Sequence, residues 1–160
     1  YVQIAYVTDD LGSQTSLLIS PRMFRQLLKP RMKELHDHIN SCADVQLMFH
    51  TDRAELPLVD DFLEMNVDIL NPVQCSAVGM EPETLKSRYG SRMVFWGGGV
   101  DTQKDLPFGT PEEVRSQVLD RCRVFSEKGG FVFNSVHNIQ ARTPVANIVA
   151  MFEALREFSG

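Results

Sequence analysis

The chain has 160 residues, 43% of them hydrophobic and 23% charged, with a formal net charge of −5. That composition belongs to a globular domain and excludes a disordered, collagenous or disulfide-scaffold chain. No apolar run approaches the roughly 18 residues that span a bilayer, no charged-then-apolar leader opens the chain, and the acidic balance argues against a nucleic-acid partner. Three cysteines, Cys42, Cys75 and Cys122, lie far apart without CxxC spacing. Such sparse usage fits a reducing cytoplasm better than secretion.

Residues 2–8 are β-branched and aromatic and stop at the turn signal Asp9-Asp10-Leu11-Gly12, which predicts a first strand. Ser20-Pro21 supplies an N-cap with proline behind it. Met23, Leu27, Leu28, Met32, Leu35 and Ile39 then recur at helical spacing, predicting one long amphipathic helix to about Ser41. Strands are predicted at 45–50, 67–72, 93–97 and 131–135, and helices at 56–65, 82–89, 110–127 and from Thr143-Pro144 to the end. Thr110-Pro111-Glu112-Glu113 is the clearest start signal, a capping box with proline in the first turn.

Each short apolar strand is followed by a helix, and period-2 alternation is weak, as in parallel strands buried on both faces. The fold class is therefore α/β, with five parallel β-α units forming a single structural unit over residues 1–160. A doubly wound open sheet and part of a (β/α)8 barrel both remain possible. In either architecture ligands collect at the strand C-terminal ends, where this sequence places Asp9, Asp10, His50, Asp52, Asn71, Gln74, Trp96, Asp101, Asn134 and His137.

His50 and Asp52 are two apart in an extended segment, so imidazole and carboxylate project to the same face. The pair suits a divalent metal or an oriented acid–base couple. The plainer alternative is a histidine bonded to a loop carbonyl beside a helix-capping Asp52. His137 follows the last strand and can join His50 on one ion. His36 and His38 fall within a long helix, where solvation is expected. The glycines of WGGGVDTQ (96–103) lack GxGxxG spacing and read as a tight turn. Cys75 has no basic neighbour to lower its pKa and reads as an inert thiol; Cys42 and Cys122 read as packing residues.

Four blocks in this order, DDLGSQTSLLISPRMFRQLLKP, VDILNPVQ, YGSRMVFWGGGVDTQKDLPFGTPEEV and FNSVHNIQARTPVANI, resemble the uroporphyrinogen decarboxylase superfamily. That superfamily includes the decarboxylase of haem synthesis and methyltransferases that act on corrinoid proteins or coenzyme M. The resemblance covers essentially the whole sequence. It implies the C-terminal five units of a (β/α)8 barrel with a site at the strand ends. By resemblance His137, seven residues before Pro144, falls where the decarboxylases place a substrate-contacting histidine and the methyltransferases a zinc-binding cysteine. His50-Thr51-Asp52 stands where the methyltransferases carry an HxC pair. The expected metal set is His50, Asp52 and His137, with zinc as the ion and a corrinoid supplied by a partner protein as the resemblance implies. His137 and Asp10 are the expected catalytic groups, and Asn71, Gln74, Trp96 and Asp101, each following a strand at its C-terminal end, are expected to line the same cavity around a small-molecule substrate.

The HxD pair favours the methyltransferase branch over the decarboxylase, and its harder ligands suit an oxygen-bound methyl donor better than a thiol. Arg53 and Asn66 occupy positions where the resemblance leads one to expect glycine; Arg53 sets a cation beside the site, positioned to pair with Asp52 or to bind an anionic group. The alternative to an enzyme is a non-catalytic half-barrel that self-associates. Five parallel strands leave two open edges, so a homo-oligomer is expected in either case.

Overall fold

The computed structural model describes residues 1–160. Five strands form one sheet in the order β1-β2-β3-β4-β5: Ile4–Thr8, Gln46–His50, Ile69–Asn71, Val94–Trp96 and Phe131–Val132. Every neighbouring pair is parallel. A doubly wound sheet must reverse its strand order somewhere. Here the order in space is the order in sequence throughout, which is the arrangement of consecutive units in a (β/α) barrel. The fold is α/β, as expected, and the barrel-type reading holds over the open sheet.

The helical elements are α1 (Pro21–Met23), a π-helical turn (Phe24–Leu28), α2 (Lys29–Cys42), a 3₁₀ turn (Leu56–Leu58), α3 (Val59–Glu64), α4 (Pro82–Tyr89), α5 (Asp105–Phe108), α6 (Pro111–Phe125) and α7 (Val145–Ser159). Two differences from the sequence reading have clear causes. The single long helix is interrupted by the π turn ahead of Pro30, whose missing N–H and ring disfavour regular α-helix in the preceding turn. Phe24 and His36 are buried and Leu28, Met32 and Ile39 are half-buried against the core on the same line, while Met23, Leu27 and Leu35 are exposed. Helix α5 was not expected; it is one turn long, too short for periodicity to register.

Strand register divides the side chains between two faces. Leu47, Phe49, Leu70 and Phe95 face the helices and are fully buried against Phe24, Phe62, Leu85 and Phe125. Phe49 meets Phe62 edge-on at 5.1 Å, and Phe62 meets Phe24 at 6.3 Å, geometries that add to plain area burial. A second cluster joins α6 to α7 through Val114, Val118, Met151 and Ala154, with Arg115 clasping Glu157 at 2.7 Å across the pair. The capping box at Thr110 and Glu113 is present as expected. The opposite sheet face is not equally covered: Tyr6 is 58% and Val132 36% exposed. The expected burial on both faces holds for the central strands, where Met48 and Ile69 are also buried, and fails at the edge strands β1 and β5, which have no neighbour on one side.

Two further corrections concern isolated side chains. His36 is fully buried rather than solvated, with Nδ1 2.9 Å from the Met65 carbonyl and its ring against Phe49. Cys42 lies exposed at the end of α2, whereas Cys75 and Cys122 are buried and all three are unpaired. No helix is long and apolar enough to cross a membrane.

The glycines after β4 act in packing, as the turn reading anticipates. Gly97 has φ of 124°, and a Cβ there would lie 1.9 Å from the Pro72 carbonyl oxygen. Gly129 has φ of 82° but nothing within 4 Å. Gly97→Ala is therefore expected to lower stability by more than about 4 kcal/mol, among the largest single-residue effects. Gly129→Ala should cost only about 1–2 kcal/mol, the left-handed backbone penalty alone. Urea denaturation of both variants checks the contrast, and equal losses would contradict it.

Candidate functional site

Parallel, in-order strands bring all five C-terminal ends to one edge. The ladder carries on past the strands: Asp9 N–H donates to the His50 carbonyl at 3.1 Å and Thr51 N–H to the Asn71 carbonyl at 2.9 Å. His50 and Asn71 are thereby held at neighbouring register positions, on the face that looks away from the helices. Ligand atoms of His50, Asp52 and His137 all lie within 4.8 Å of one another.

Hydrogen bonding decides which nitrogen of His50 is available. The Asn71 amide donates through Nδ2 to the Trp96 carbonyl at 2.8 Å, so its Oδ1 is the atom that faces His50 Nδ1 at 2.6 Å. Nδ1 must then carry the proton, and the lone pair falls on Nε2. This is the carbonyl–histidine arrangement that orients metal-ligating imidazoles. His137 sits across the cleft, its ring centroid 6.4 Å from that of His50. The Ser135 hydroxyl donates to the His137 carbonyl at 2.7 Å and braces this loop.

Asp52 lies between them. Its Oδ2 is 3.8 Å from His137 Nε2, while Oδ1 is buried without any hydrogen-bond partner. Burial pushes its pKa up, the two histidines pull it down, Asp10 raises it and Arg53 lowers it. A buried carboxylate oxygen without a hydrogen-bond partner beside two imidazoles is a donor set that a divalent ion would complete. Zinc bonds of about 2.1 Å in a tetrahedron imply donors about 3.4 Å apart; Asp52 Oδ2 and His137 Nε2 stand at 3.8 Å, within reach of that spacing by small side-chain movement. Two neutral nitrogens and one carboxylate fit zinc or a similar divalent ion with an open position.

Two cavities flank His137 and share it with Val136. One, about 520 Å³, is walled by Tyr6, His50, Asn71 and Asn134. The other, about 210 Å³, is walled by Asp52, Arg53, Gln74, Gln103 and Gln140. Of the residues expected to surround a substrate, Asn71 lines the larger cavity and Gln74 the smaller. Trp96 contributes its backbone carbonyl to Asn71. Asp101 is buried and occupied by the chain itself, accepting from the backbone N–H groups of Gln103 and Lys104 at 2.7 Å each; it shapes the loop and lines neither cavity. Asp10 is exposed and acts on the site through its charge, raising both Asp52 and Glu55. Cys75 is buried, and its thiol is pushed up to about 11 by that burial, so it stays protonated and inert.

Glu55 was missed by sequence reasoning, and no pattern in HTDRAE marks it. It is fully buried; Oε1 accepts the Thr51 hydroxyl at 2.7 Å and Oε2 has no partner. Burial raises its pKa to about 8, partly offset by the Thr51 bond.

Residues 1–158 match the family described as uroporphyrinogen decarboxylase (URO-D). The chain belongs to the uroporphyrinogen decarboxylase family. Among curated relatives, a uroporphyrinogen decarboxylase of Coxiella burnetii is 29% identical, aligned over 89% of this chain and 38% of its own length. A uroporphyrinogen decarboxylase of Psychromonas ingrahamii is 29% identical over 53% of this chain and 24% of its own. The chain thus spans less than half the length of the curated relatives it matches. A methyltransferase from Methanosarcina mazei superposes with a TM-score of 0.74 and 21% identity, covering 99% of this chain and 43% of that one. That likeness establishes a shared fold.

The Glu55 carboxyl has a testable consequence within this family member. Its folded pKa of about 8 exceeds the ordinary 4.5, so the unfolded chain gives up the proton first as pH rises. The stabilisation is whole below about pH 4.5 and is lost as pH rises through about 8. At about 1.4 kcal/mol per pKa unit the loss amounts to several kcal/mol. Glu55→Gln is expected to flatten the stability profile between pH 5 and 8 and to raise stability at pH 8. Denaturant midpoints across that range provide the measurement; an unchanged slope would show that Glu55 is not the group responsible.

Proposed function

We propose that this chain supplies the metal-binding part of an active site of the methyltransferase kind within the uroporphyrinogen decarboxylase family. A divalent ion, zinc in the first instance, would be held by His50, Asp52 and His137. The observation that carries this reading is the buried, partnerless Oδ1 of Asp52 between two imidazoles, one of which has its Nε2 freed by Asn71. When bound, the ion supplies a Lewis acid that polarises an atom of a small-molecule substrate. The chain's own groups do the rest. Asn71 keeps the His50 proton on Nδ1, and His137, 45% exposed, lies open to the substrate side. Asp52 Oδ2, 3.8 Å from His137 Nε2, faces the same ion and completes the set. The nitrogen and oxygen donors, with no thiol among them, suit an oxygen-bound methyl group, and the acceptor we propose is a corrinoid carried by a partner protein, in the cytoplasm.

The names of the curated relatives favour a second reading, decarboxylation of a porphyrinogen. In that case the Asp52–His137 pair acts as a proton carrier and no ion is required.

Metal analysis separates the two. After chelation and reloading, one zinc per chain is expected, and Asn71→Ala should weaken binding about 10- to 100-fold, as loss of such an orienting partner commonly does. Stoichiometric zinc surviving in a His50→Ala, His137→Ala double variant would overturn the site, as would a failure to bind any ion under all loading conditions.

We also propose that the chain pairs with a further copy of itself or with further βα units. The outer edges of β1 and β5 carry unpaired backbone groups. Leu18, Leu27, Val145 and Phe152 stand exposed on the flanking helical segments and loops, alongside the uncovered Tyr6 and Val132. At about 25 cal/mol per Å², a few hundred Å² of such surface favours association by several kcal/mol. Light scattering of the 160-residue chain at micromolar concentration should give at least twice 18.1 kDa; a cooperative monomer would contradict this.

A further inference from the structure

Arg53 is explained neither by the fold nor by the metal set. Its backbone lies at φ of 91°, a left-handed conformation that costs a long side chain about 1–3 kcal/mol and glycine almost nothing. The position itself therefore calls for glycine. No ion pair of the chain includes Arg53, and the adjacent Asp52 turns to His137 instead. Arg53 is exposed, so its guanidinium is free to meet an incoming anion, and its place on a cleft wall at a conformational cost points to a ligand.

The smaller cavity shows what that ligand must be. Arg53 shares its wall with Asp52, Gln74, Thr102, Gln103 and His137. The three loop glutamines are locked together: Gln14 Nε2 donates to Gln103 Oε1 at 2.8 Å, and Gln74 Nε2 donates to the same oxygen at 3.3 Å and to Gln14 Oε1 at 3.0 Å. With the Gln103 oxygen occupied twice, its amide N–H groups are what it has left to offer. The guanidinium, this amide and the Thr102 hydroxyl make the wall rich in donors. The one carboxylate, Asp52, is engaged with His137. At about 210 Å³ the lobe holds about seven waters' volume, enough for a short anionic tail and too little for a large ring system.

We infer that Arg53 anchors the carboxylate tail of a small substrate whose reacting end lies at the His50–Asp52–His137 cluster. The fork of the guanidinium matches a planar carboxylate through two parallel bonds. The inference rests on the proposed metal reading, because an ion on Asp52 removes the one charge in the lobe that repels an anion.

Calorimetric titration of the full chain, zinc-loaded and zinc-free, with glutarate and with inorganic phosphate tests it. Glutarate is expected to bind the zinc-loaded chain more tightly than phosphate, and at least tenfold more weakly in both Arg53→Gln and Arg53→Gly. Arg53→Gly should retain or raise the melting temperature, since it releases the strained backbone, which separates loss of the anchor from loss of the fold. Zinc stoichiometry measured on the same samples keeps the two proposals apart. Arg53-dependent glutarate binding without zinc uptake would sustain the anchor while the metal reading fell. Normal zinc uptake with glutarate binding absent, or indifferent to both substitutions, would overturn the anchor alone, and tighter binding of phosphate would overturn its assignment to a carboxylate.

Discussion

The parallel ladder governs everything else in this molecule. Strands that run in one direction and pair in chain order must deliver their C-terminal ends to a single edge, and the loops leaving those ends must meet there. The helices return on the face of Leu47, Phe49, Leu70 and Phe95, where close-packed aromatic rings hold the sheet rigid. Because backbone bonds continue beyond β1 and β2 into Asp9 and Thr51, His50 and Asn71 stand on the ladder itself, and only Asp52 and His137 reach the site from the loops that follow. Such placement is how a site acquires geometry finer than loops alone permit.

At that edge environment separates groups of the same chemical type. Glu55 and Asp52 are carboxyls three residues apart, yet one is sealed beneath the loop with only a hydroxyl partner and the other lies beside two imidazoles and open cavity. Burial keeps the first protonated near neutral pH; the histidines counter burial at the second. The same logic divides the histidines. His36 is enclosed by Phe49 and a backbone carbonyl, while His50 keeps one nitrogen tied to Asn71 and the other available. Residue type alone assigns none of these roles; the partner of each atom does.

Family membership and local geometry contribute different things. The match across residues 1–158 assigns the chain to the uroporphyrinogen decarboxylase family, and the superposition on a methyltransferase fold agrees with five consecutive barrel units. Neither says which reaction takes place. What distinguishes this chain is local: an HxD where a thiolate would favour sulfur chemistry, and an arginine held in a backbone conformation that glycine would adopt freely.

Much of this was legible in the amino-acid sequence. Alternating apolar strands and capped helices determined the fold class, and the i, i+2 spacing of His50 and Asp52 at a strand end put both on one edge with His137. Proline and glycine signals located most element boundaries, because their backbone constraints act locally. Tertiary structure decided the rest. Which side chains of the first long helix are buried depended on the π turn before Pro30; that Asp101 serves its own loop depended on two backbone N–H groups; that Asn71 orients His50 depended on a carbonyl offered by the next strand. The glutamine cluster left no trace in any pattern, since its partners come from loops as much as 89 residues apart in the chain; Glu55 bonds to Thr51 only four residues away, but its burial is set by the surrounding fold. Local propensity reads the neighbours along the backbone, whereas burial and hydrogen-bond partnership are set across it, by strands that meet only once the sheet has formed.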